Sequence, residues 1–340
     1  MSVGLLERLD GGPVICAEGY LFELERRGYV QAGPFVPEVV LEHPEVVAQL
    51  HRDFVHAGSD VVEAFTYYAH REKMRIVGKE DLLEELNRQA LGIARDVARE
   101  SDALFAGDIC NTNVFAEDEK SRRIVRGMFE EQVAWAADAG VDFVIAETFS
   151  HAAEALVALE VIKQAELPAV ITFTLHRSPL TRDGLTPAEA CRRFEAAGAD
   201  VVGLNCSRGP ATMMDAITSI RDAVSCHVAA LPVPYRTGED SPTFQSLKDP
   251  EWEGQAFPTA LDPLMCNRYE IADFAREAYD LGIHYLGLCC GAGPHHIRSL
   301  AEALGKTPPA SRYSPDMSRH AYFGTHESLK PENVEFAKDL

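Results

Sequence analysis

Residues 143–173 read FVIAETFSHAAEALVALEVIKQAELPAVITF, two short apolar runs on either side of a helix-like segment. Apolar runs without polar alternation are typical of strands that are buried on both faces of a parallel sheet. The stretch therefore predicts a strand, a crossover helix and a second, parallel strand.

The same alternation extends along the chain. Candidate strands occupy residues 13–16, 61–65, 103–106, 143–146, 169–173, 201–204, 227–231 and 285–288. Helix signals lie between most of them; one helix should begin at Thr186-Pro187, with an N-cap and a proline in the first turn, and end before Gly198. Eight such units predict an α/β fold, a (β/α)8 TIM barrel. A doubly wound sheet is the alternative, although no Gly-x-Gly-x-x-Gly follows a strand.

Two segments lack this alternation. Residues 236–263 are polar and proline-rich, which predicts a long surface loop after strand seven. The residues after Thr307 predict an irregular C-terminal tail. We therefore expect a single barrel domain with extended loops over residues 1–306 and a tail over 307–340.

Charge and composition limit the classes of partner. The chain has 340 residues and a formal charge of −21, and nucleic acids and anionic membranes both favour basic surfaces. The first residues do not resemble a signal peptide, and no apolar stretch approaches the roughly 18 residues of a membrane span. We expect a cytoplasmic protein that acts on small molecules and binds neither nucleic acid nor membrane.

The chain contains eight cysteines, and because cytoplasmic proteins rarely hold disulfides we expect them to be buried thiols or metal ligands. Cys206 follows strand six, and Cys289-Cys290 follow strand eight just before Gly291. Because the carboxyl ends of barrel strands meet at one rim, these three thiols predict an open zinc site with a free fourth position. The other five cysteines are expected to pack as small apolar residues.

Two motifs make the sequence recognisable. Gly203-Leu204-Asn205-Cys206 and Gly287-Leu288-Cys289-Cys290-Gly291 resemble the zinc motifs of the homocysteine S-methyltransferase family, and the betaine–homocysteine branch is the most similar. The resemblance covers residues 4–312 and extends through these further segments: 4–9, 24–29, 42–45, 50–52, 275–279 and 294–298.

The resemblance implies a zinc-dependent transfer of a methyl group from a betaine-like or sulfonium donor to homocysteine or a related thiol, which forms methionine. Cys206, Cys289 and Cys290 would be the Zn²⁺ ligands. Glu147 matches the family's glutamate after strand four, which contacts the amino group of homocysteine. The family also implies a (β/α)8 barrel, in agreement with the strand count.

Several substrate positions differ from the family pattern. Where the family has Asp-Gly-Gly, this chain has Ala17-Glu18-Gly19, so that the acid has moved by one residue. The chain also differs from the betaine–homocysteine branch at five further positions, which are Phe35, Glu63, Ala64, Thr148 and Leu231. Tyr68 is the same residue as in that branch. We expect Glu18, Gly19, Phe35, Glu63, Tyr68, Thr148 and Asn205 to contact the two substrates. Aromatic rings among them would suit a cationic donor.

These differences leave alternatives open. The same zinc chemistry could serve a changed acceptor thiol, or the demethylation of an unusual N-methyl compound. A non-catalytic zinc- or ligand-binding barrel belongs to another class, but structural zinc sites normally have four protein ligands. The sequence also leaves the oligomeric state undecided, and a homo-oligomer is one of the alternatives.

Overall fold

Eight short strands run parallel, and the last pairs with the first to close a barrel. The protein is described here by a computed structural model that covers residues 3–340. The strands are β1 (Val14–Ala17), β2 (Val61–Glu63), β3 (Leu104–Cys110), β4 (Phe143–Phe149), β5 (Ala169–Phe173), β6 (Val201–Asn205), β7 (His227–Leu231) and β8 (Tyr285–Leu288). The predicted single-domain (β/α)8 barrel is therefore confirmed.

The strand limits differ from the prediction mainly in β3 and β4, which run several residues further. The sequence-based limits at Ala106 and Ala146 fall just before Asp108 and Glu147, where the apolar runs end. Both acidic side chains are buried at the carboxyl end of the barrel interior, where they meet other polar groups. The two acidic residues therefore indicate a polar site inside the barrel and not the ends of β3 and β4.

Helices surround the barrel and connect its strands. They are α1 (Leu5–Gly11), α2 (Tyr20–Arg26), α3 (Val39–Glu42), α4 (Pro44–Ala57), α5 (Arg71–Ile76), α6 (Leu83–Ser101), α7 (Glu119–Ala139), α8 (Ala152–Gln164), α9 (Pro187–Ala196), α10 (Pro210–Arg221), α11 (Arg268–Asp280), α12 (Pro294–Ala303) and α13 (Pro331–Phe336). As predicted, α9 begins with Thr186, which forms a capping box with Glu189.

The apolar core has two layers. One fills the barrel interior and includes Val14, Phe143 and Tyr285, together with Leu5 and Leu9 of α1. The other lies between the strands and the surrounding helices. Because α1 shares the inner cluster with residues from the starts of the strands, it packs on the amino-terminal end of the barrel and leaves the opposite end for the site.

The strands that lead to the three thiols depend on close backbone contacts. A Cβ atom on Gly203 of β6 would lie 2.0 Å from the carbonyl oxygen of Ala229, and one on Gly287 of β8 would lie 1.9 Å from that of Cys16. Real Cβ atoms do not approach so closely, so only glycine lets β6 and β8 pair with their neighbours in this register.

The segment 236–263 is a long and largely exposed loop after β7, as predicted, but some of its residues are buried. It contains single turns at Phe244–Ser246 and Asp262–Leu264, and Phe244, Leu247 and Leu261 are buried. Phe244 stacks on Tyr235 with ring centroids 5.7 Å apart. Although the loop is polar in composition, its Phe244 and Phe257 contribute to the lining of the cavity described below.

The last part of the chain is irregular, as expected. After α12, residues 307–340 hold α13 and three short turns. The division at residue 306 stays a prediction. No helix within residues 3–340 is both long and apolar enough to cross a membrane.

Candidate metal centre and active site

Three thiols meet at the carboxyl end of the barrel. The Sγ atoms of Cys206, Cys289 and Cys290 all lie within 4.8 Å of one another, and all three residues are buried. The sulfurs of Cys289 and Cys290 are 3.9 Å apart. Two ligands of a tetrahedral zinc, each about 2.3 Å from the metal, would be about 3.8 Å apart. The thiol spacing therefore fits a metal ion of this kind.

The backbone around the thiols is held in special conformations. Cys206 has a φ of 57° and Gly291 a φ of 96°, both in the left-handed region. The Arg26 guanidinium donates to the Gly291 carbonyl and to the Tyr235 hydroxyl, each at 3.0 Å. Arg26 thereby fixes the turn that lets both adjacent cysteines face Cys206, although neighbouring residues in a strand point to opposite sides.

The protonation preferences of the thiols support a cation at this place. Hydrogen bonds from Cys289 and Cys290 lower the pKa of Cys206, whereas burial and the nearby Cys206 raise the pKa of Cys289. The three groups therefore compete for a single negative charge. A metal cation removes that competition because it stabilises several thiolates together.

Asn205 connects the thiols to an acidic group. Its Nδ2 lies 3.8 Å from the Cys289 sulfur, 3.3 Å from Glu18 Oε2 and within hydrogen-bonding distance of Glu147 Oε2. Its Oδ1 accepts from the Thr148 amide at 2.9 Å, and the Thr148 hydroxyl donates to Glu147 at 2.8 Å. This network orients the Glu147 carboxyl beside the thiols.

Beneath this network is a small inner cavity of about 20 Å³, lined by Glu18, Glu63, Asp108 and Glu147 and also by Cys289 and Cys290. All four acidic side chains are buried. One oxygen each of Glu18, Glu63 and Asp108 has no hydrogen-bond partner within residues 3–340. An inner cavity with this lining favours a positively charged group such as an amine.

Burial governs the charge of these acids. The pKa of Glu147 is raised to about 8, because burial and the neighbouring Cys206 together outweigh the opposing hydrogen bonds from Thr148 and Asn205. Burial also raises the pKa of Glu18, with repulsion from Glu147, and of Glu63, with repulsion from Glu18. At neutral pH this cluster therefore carries less negative charge than its composition suggests.

The Glu63 variant tests this conclusion through stability. Because the folded-state pKa of Glu63 lies above its unfolded value of about 4.3, ionising it opposes folding, and the penalty appears as the pH rises above that value. We expect Glu63→Gln to raise the free energy of unfolding at pH 8 by at least about 1 kcal/mol, which is roughly the value of one pKa unit. The gain should vanish near pH 4, as measured by urea unfolding.

The control for this experiment is Glu160→Gln, because Glu160 is an exposed acid of α8 that pairs with Arg126. Its effect on stability should be small at both pH values. An equal gain from Glu63→Gln at pH 4 and pH 8 would show that the charge of Glu63 is not the cause.

A larger outer cavity of about 330 Å³ opens from the thiols toward solvent. One wall is aromatic, and its members are Phe22, Phe35, Tyr67, Tyr68, Phe115, Phe244 and Phe257. Polar side chains also line this cavity, and three of them, Ser150, His176 and Arg182, are called the polar wall below. Because Tyr67 and Cys290 line both cavities, the two spaces adjoin at the thiols.

Several residues on the outer cavity have positive φ although they are not glycine. They are Phe35 (51°), Tyr68 (64°), Asn113 (63°), Thr148 (60°) and Cys206 (57°). Such conformations are uncommon for side chains of this size and cluster at functional sites. The concentration of strained residues around the outer cavity therefore indicates that it belongs to the candidate functional site.

The structure brings most of the predicted site residues together. Glu147, Thr148, Asn205 and Glu18 lie at the thiols, Glu63 lies in the inner cavity, and Phe35 and Tyr68 lie on the outer cavity. Gly19 lines neither of these cavities. A Cβ atom there would lie 2.2 Å from the carbonyl oxygen of Ala292, so its absent side chain serves packing. The substrate contacts of all these residues stay predictions.

Sequence reasoning missed some residues of the site. Asp108 lies in the middle of β3 but two residues beyond the end of the predicted strand, and the apolar Ile109-Cys110 that follow it were the available signal that the strand continues. Arg182 and Asn113 lie in loops without a recognisable motif, so only the fold places them on the cavity.

Comparison with known proteins agrees with this geometry. The family model described as homocysteine S-methyltransferase matches residues 15–304. The chain belongs to the homocysteine S-methyltransferase family. The suspected resemblance is thus confirmed, and the family consists of methyltransferases that act on a small thiol.

Individual relatives fall within the same family. The betaine–homocysteine S-methyltransferase 1 of Xenopus tropicalis is 39% identical over 332 residues, which cover 95% of this chain and 80% of that protein. The S-methylmethionine–homocysteine S-methyltransferase of Pongo abelii is also 39% identical, over 91% of this chain and 84% of its own.

One solved structure shares the fold. The homocysteine methyltransferase MmuM from Escherichia coli, in its metallated form, superposes with a TM-score of 0.68 at 19% identity. The alignment covers 87% of this chain and 98% of that one. At this identity the likeness supports the barrel and no detail of specificity.

Proposed function

We propose that the protein is a zinc-dependent S-methyltransferase that moves a methyl group from an onium donor to homocysteine and forms methionine. The observation that carries this proposal is the set of three buried thiols beside the Glu147 carboxyl. Within residues 3–340 no fourth His, Cys, Asp or Glu lies within 4.8 Å of all three sulfurs, although Glu18 and Glu147 approach Cys289, and such a set suits a site that keeps one position open for substrate. That open set weighs against a non-catalytic zinc barrel.

The residues fit zinc better than a hard cation such as Mg²⁺, because three thiolates form a soft donor set. When bound, zinc would stabilise the thiolate form of a substrate thiol near neutral pH. Which metal the protein holds is therefore part of this proposal.

The chain's own residues would position the acceptor. Glu147, oriented by Asn205 and Thr148, and the neighbouring Glu18 would hold the amino group of homocysteine within the acidic inner cavity. Burial of these groups excludes water and strengthens each charge interaction. Glu63, which also lines this cavity, would complete the acceptor's surroundings.

The aromatic wall of the outer cavity would hold the donor. Phe35 and Tyr68 face the same space as Cys206, where an onium methyl could point at the thiolate. The sulfur–methyl bond forms as the methyl's bond to the onium atom breaks. The donor leaves as a neutral amine or thioether, and the acceptor's thiol proton is lost to solvent.

The experiment uses the purified full chain with zinc and homocysteine, supplied in turn with glycine betaine and S-methylmethionine. Methionine should form with at least one donor, and its formation should stop when a chelator removes the metal. Absence of methionine with both donors, or unchanged activity after verified metal removal, would overturn the proposal.

We further propose that only small molecules are substrates and that the protein works in the cytoplasm.

A further inference from the structure

The inner and outer cavities are lined by side chains of different charge. The inner cavity is lined by Glu18, Glu63, Asp108 and Glu147 and by no lysine or arginine. Among the side chains on either cavity within residues 3–340, Arg182 is the only lysine or arginine, and it lies on the outer one. A ligand with one positive and one negative end therefore has a preferred direction, with its cation toward the thiols and its anion toward Arg182.

Arg182 is available for a ligand. Its guanidinium has no ion pair or side-chain hydrogen bond to any residue in the range 3–340, and the side chain is exposed at the mouth. The neighbouring Asp183 does not compete for it, because that carboxylate accepts from the amides of Ala152 and Ala153 at 3.0 and 2.9 Å. The Arg182 amide donates to the Ser150 carbonyl at 2.8 Å, which ties its backbone to the end of β4.

His176 and Ser150 stand beside Arg182 on the polar wall. His176 Nε2 and Ser150 Oγ are 2.9 Å apart, and Arg208 donates to the His176 carbonyl at 2.9 Å. Burial and the charges of Arg182 and Arg208 lower the pKa of His176, so that its ring is neutral at pH 7. The two side chains supply neutral hydrogen-bonding groups on the same cavity as one positive charge that has no ion partner within residues 3–340, an arrangement suited to a carboxylate.

One acidic residue, Glu154, also lines the outer cavity and could offset the charge of Arg182. Glu154 accepts hydrogen bonds from the Thr112 amide at 2.9 Å and the Thr112 hydroxyl at 2.6 Å. Burial raises its pKa. Glu154 is thus already partnered, and the outer end of the cavity keeps its positive character.

We propose that Arg182, assisted by His176 and Ser150, binds the anionic group of the methyl donor and thereby selects zwitterionic onium donors over purely cationic ones. This inference rests on the proposed methyl transfer and adds to it the residue that sets donor class. Arg182 is a binding residue at the donor's far end and takes no part in the transfer itself.

The test measures donor binding to the zinc-loaded full chain in the presence of homocysteine. The ligands are glycine betaine, γ-butyrobetaine and S-methylmethionine, which carry a carboxylate, and choline, which has a hydroxyl in its place. The variants are Arg182→Gln and Arg182→Lys. The control is Arg177→Gln, because Arg177 is an exposed arginine of the same loop that does not line the cavity.

We expect Arg182→Gln to weaken the best zwitterion about tenfold, Arg182→Lys to restore part of the loss, and choline to bind weakly to every form. The inference is overturned if choline binds as tightly as the best carboxylate-bearing donor, if none of the three carboxylate-bearing donors binds, or if Arg182→Gln behaves like Arg177→Gln. Methionine formation by the unchanged protein is recorded separately, so that a failure of methyl transfer is distinguished from a failure of this donor contact.

Discussion

Cys289→Ala should abolish metal binding and lower methyl transfer by about a thousandfold or more. The substitution removes one of three thiols that lie within 4.8 Å of one another, and the remaining pair cannot form a comparable site. A metal of this kind contributes several kcal/mol to such a reaction, and each 1.36 kcal/mol is a factor of ten in rate. Metal content per chain and the rate of methionine formation are the measurements.

The matched control is Cys191→Ala, since Cys191 is a buried cysteine of α9 in the core outside the barrel. This variant should lose some stability from a small cavity but keep one metal per chain and its activity. Full zinc occupancy and unchanged rate in Cys289→Ala would contradict the assigned ligand set. Unfolding should be followed in both variants, so that loss of metal is separated from loss of fold.

Glu147→Gln should lower kcat/KM for homocysteine by about a hundredfold, mainly through KM. The amide keeps the shape that Asn205 and Thr148 recognise, but unlike the carboxyl it cannot give up a proton to form an ion pair when the substrate's ammonium group binds. A hydrogen bond to a charged group is worth about 1.5–3 kcal/mol. Zinc content should stay at one per chain, because Glu147 is not one of the three thiol ligands.

A modified acceptor separates this role from general damage. 4-Mercaptobutyrate has the thiol and carboxylate of homocysteine without the amino group, so the wild type and Glu147→Gln should use it equally well. Equal losses with both thiols would refute an amino-group contact at Glu147. Glu160→Gln, which alters an exposed acid of α8, should behave as the wild type.

The barrel was predictable because its signal is repeated. Eight apolar runs each report burial on two faces, and errors at one strand end do not change the count. The thiol cluster was predictable for a related reason, since Cys206 and Cys289-Cys290 immediately follow strands whose carboxyl ends must share one rim. Connectivity and strand direction were enough to bring them together.

The walls of the cavities were harder to predict. Asp108 lies inside a strand that the sequence reading ended too early, and Phe244 comes from a loop whose composition indicated a surface. Arg182 depends on the path of the loop after β5, which no periodic pattern describes. These positions follow from long-range packing, which a local reading of hydropathy does not contain.

The left-handed residues around the outer cavity also bear on how this protein could be engineered. For an ordinary side chain, that conformation costs roughly 1–2 kcal/mol, while a whole domain is stable by only about 5–15 kcal/mol. The strained backbone at Phe35, Tyr68 and Thr148 therefore opposes folding by an amount that is sizeable beside the free energy of unfolding of a domain. Glycine or asparagine at these three positions would relieve that backbone cost but would also remove side chains that line the outer cavity and the hydrogen bond from Thr148 to Glu147, so that the backbone strain and the shape of the cavity cannot be changed independently.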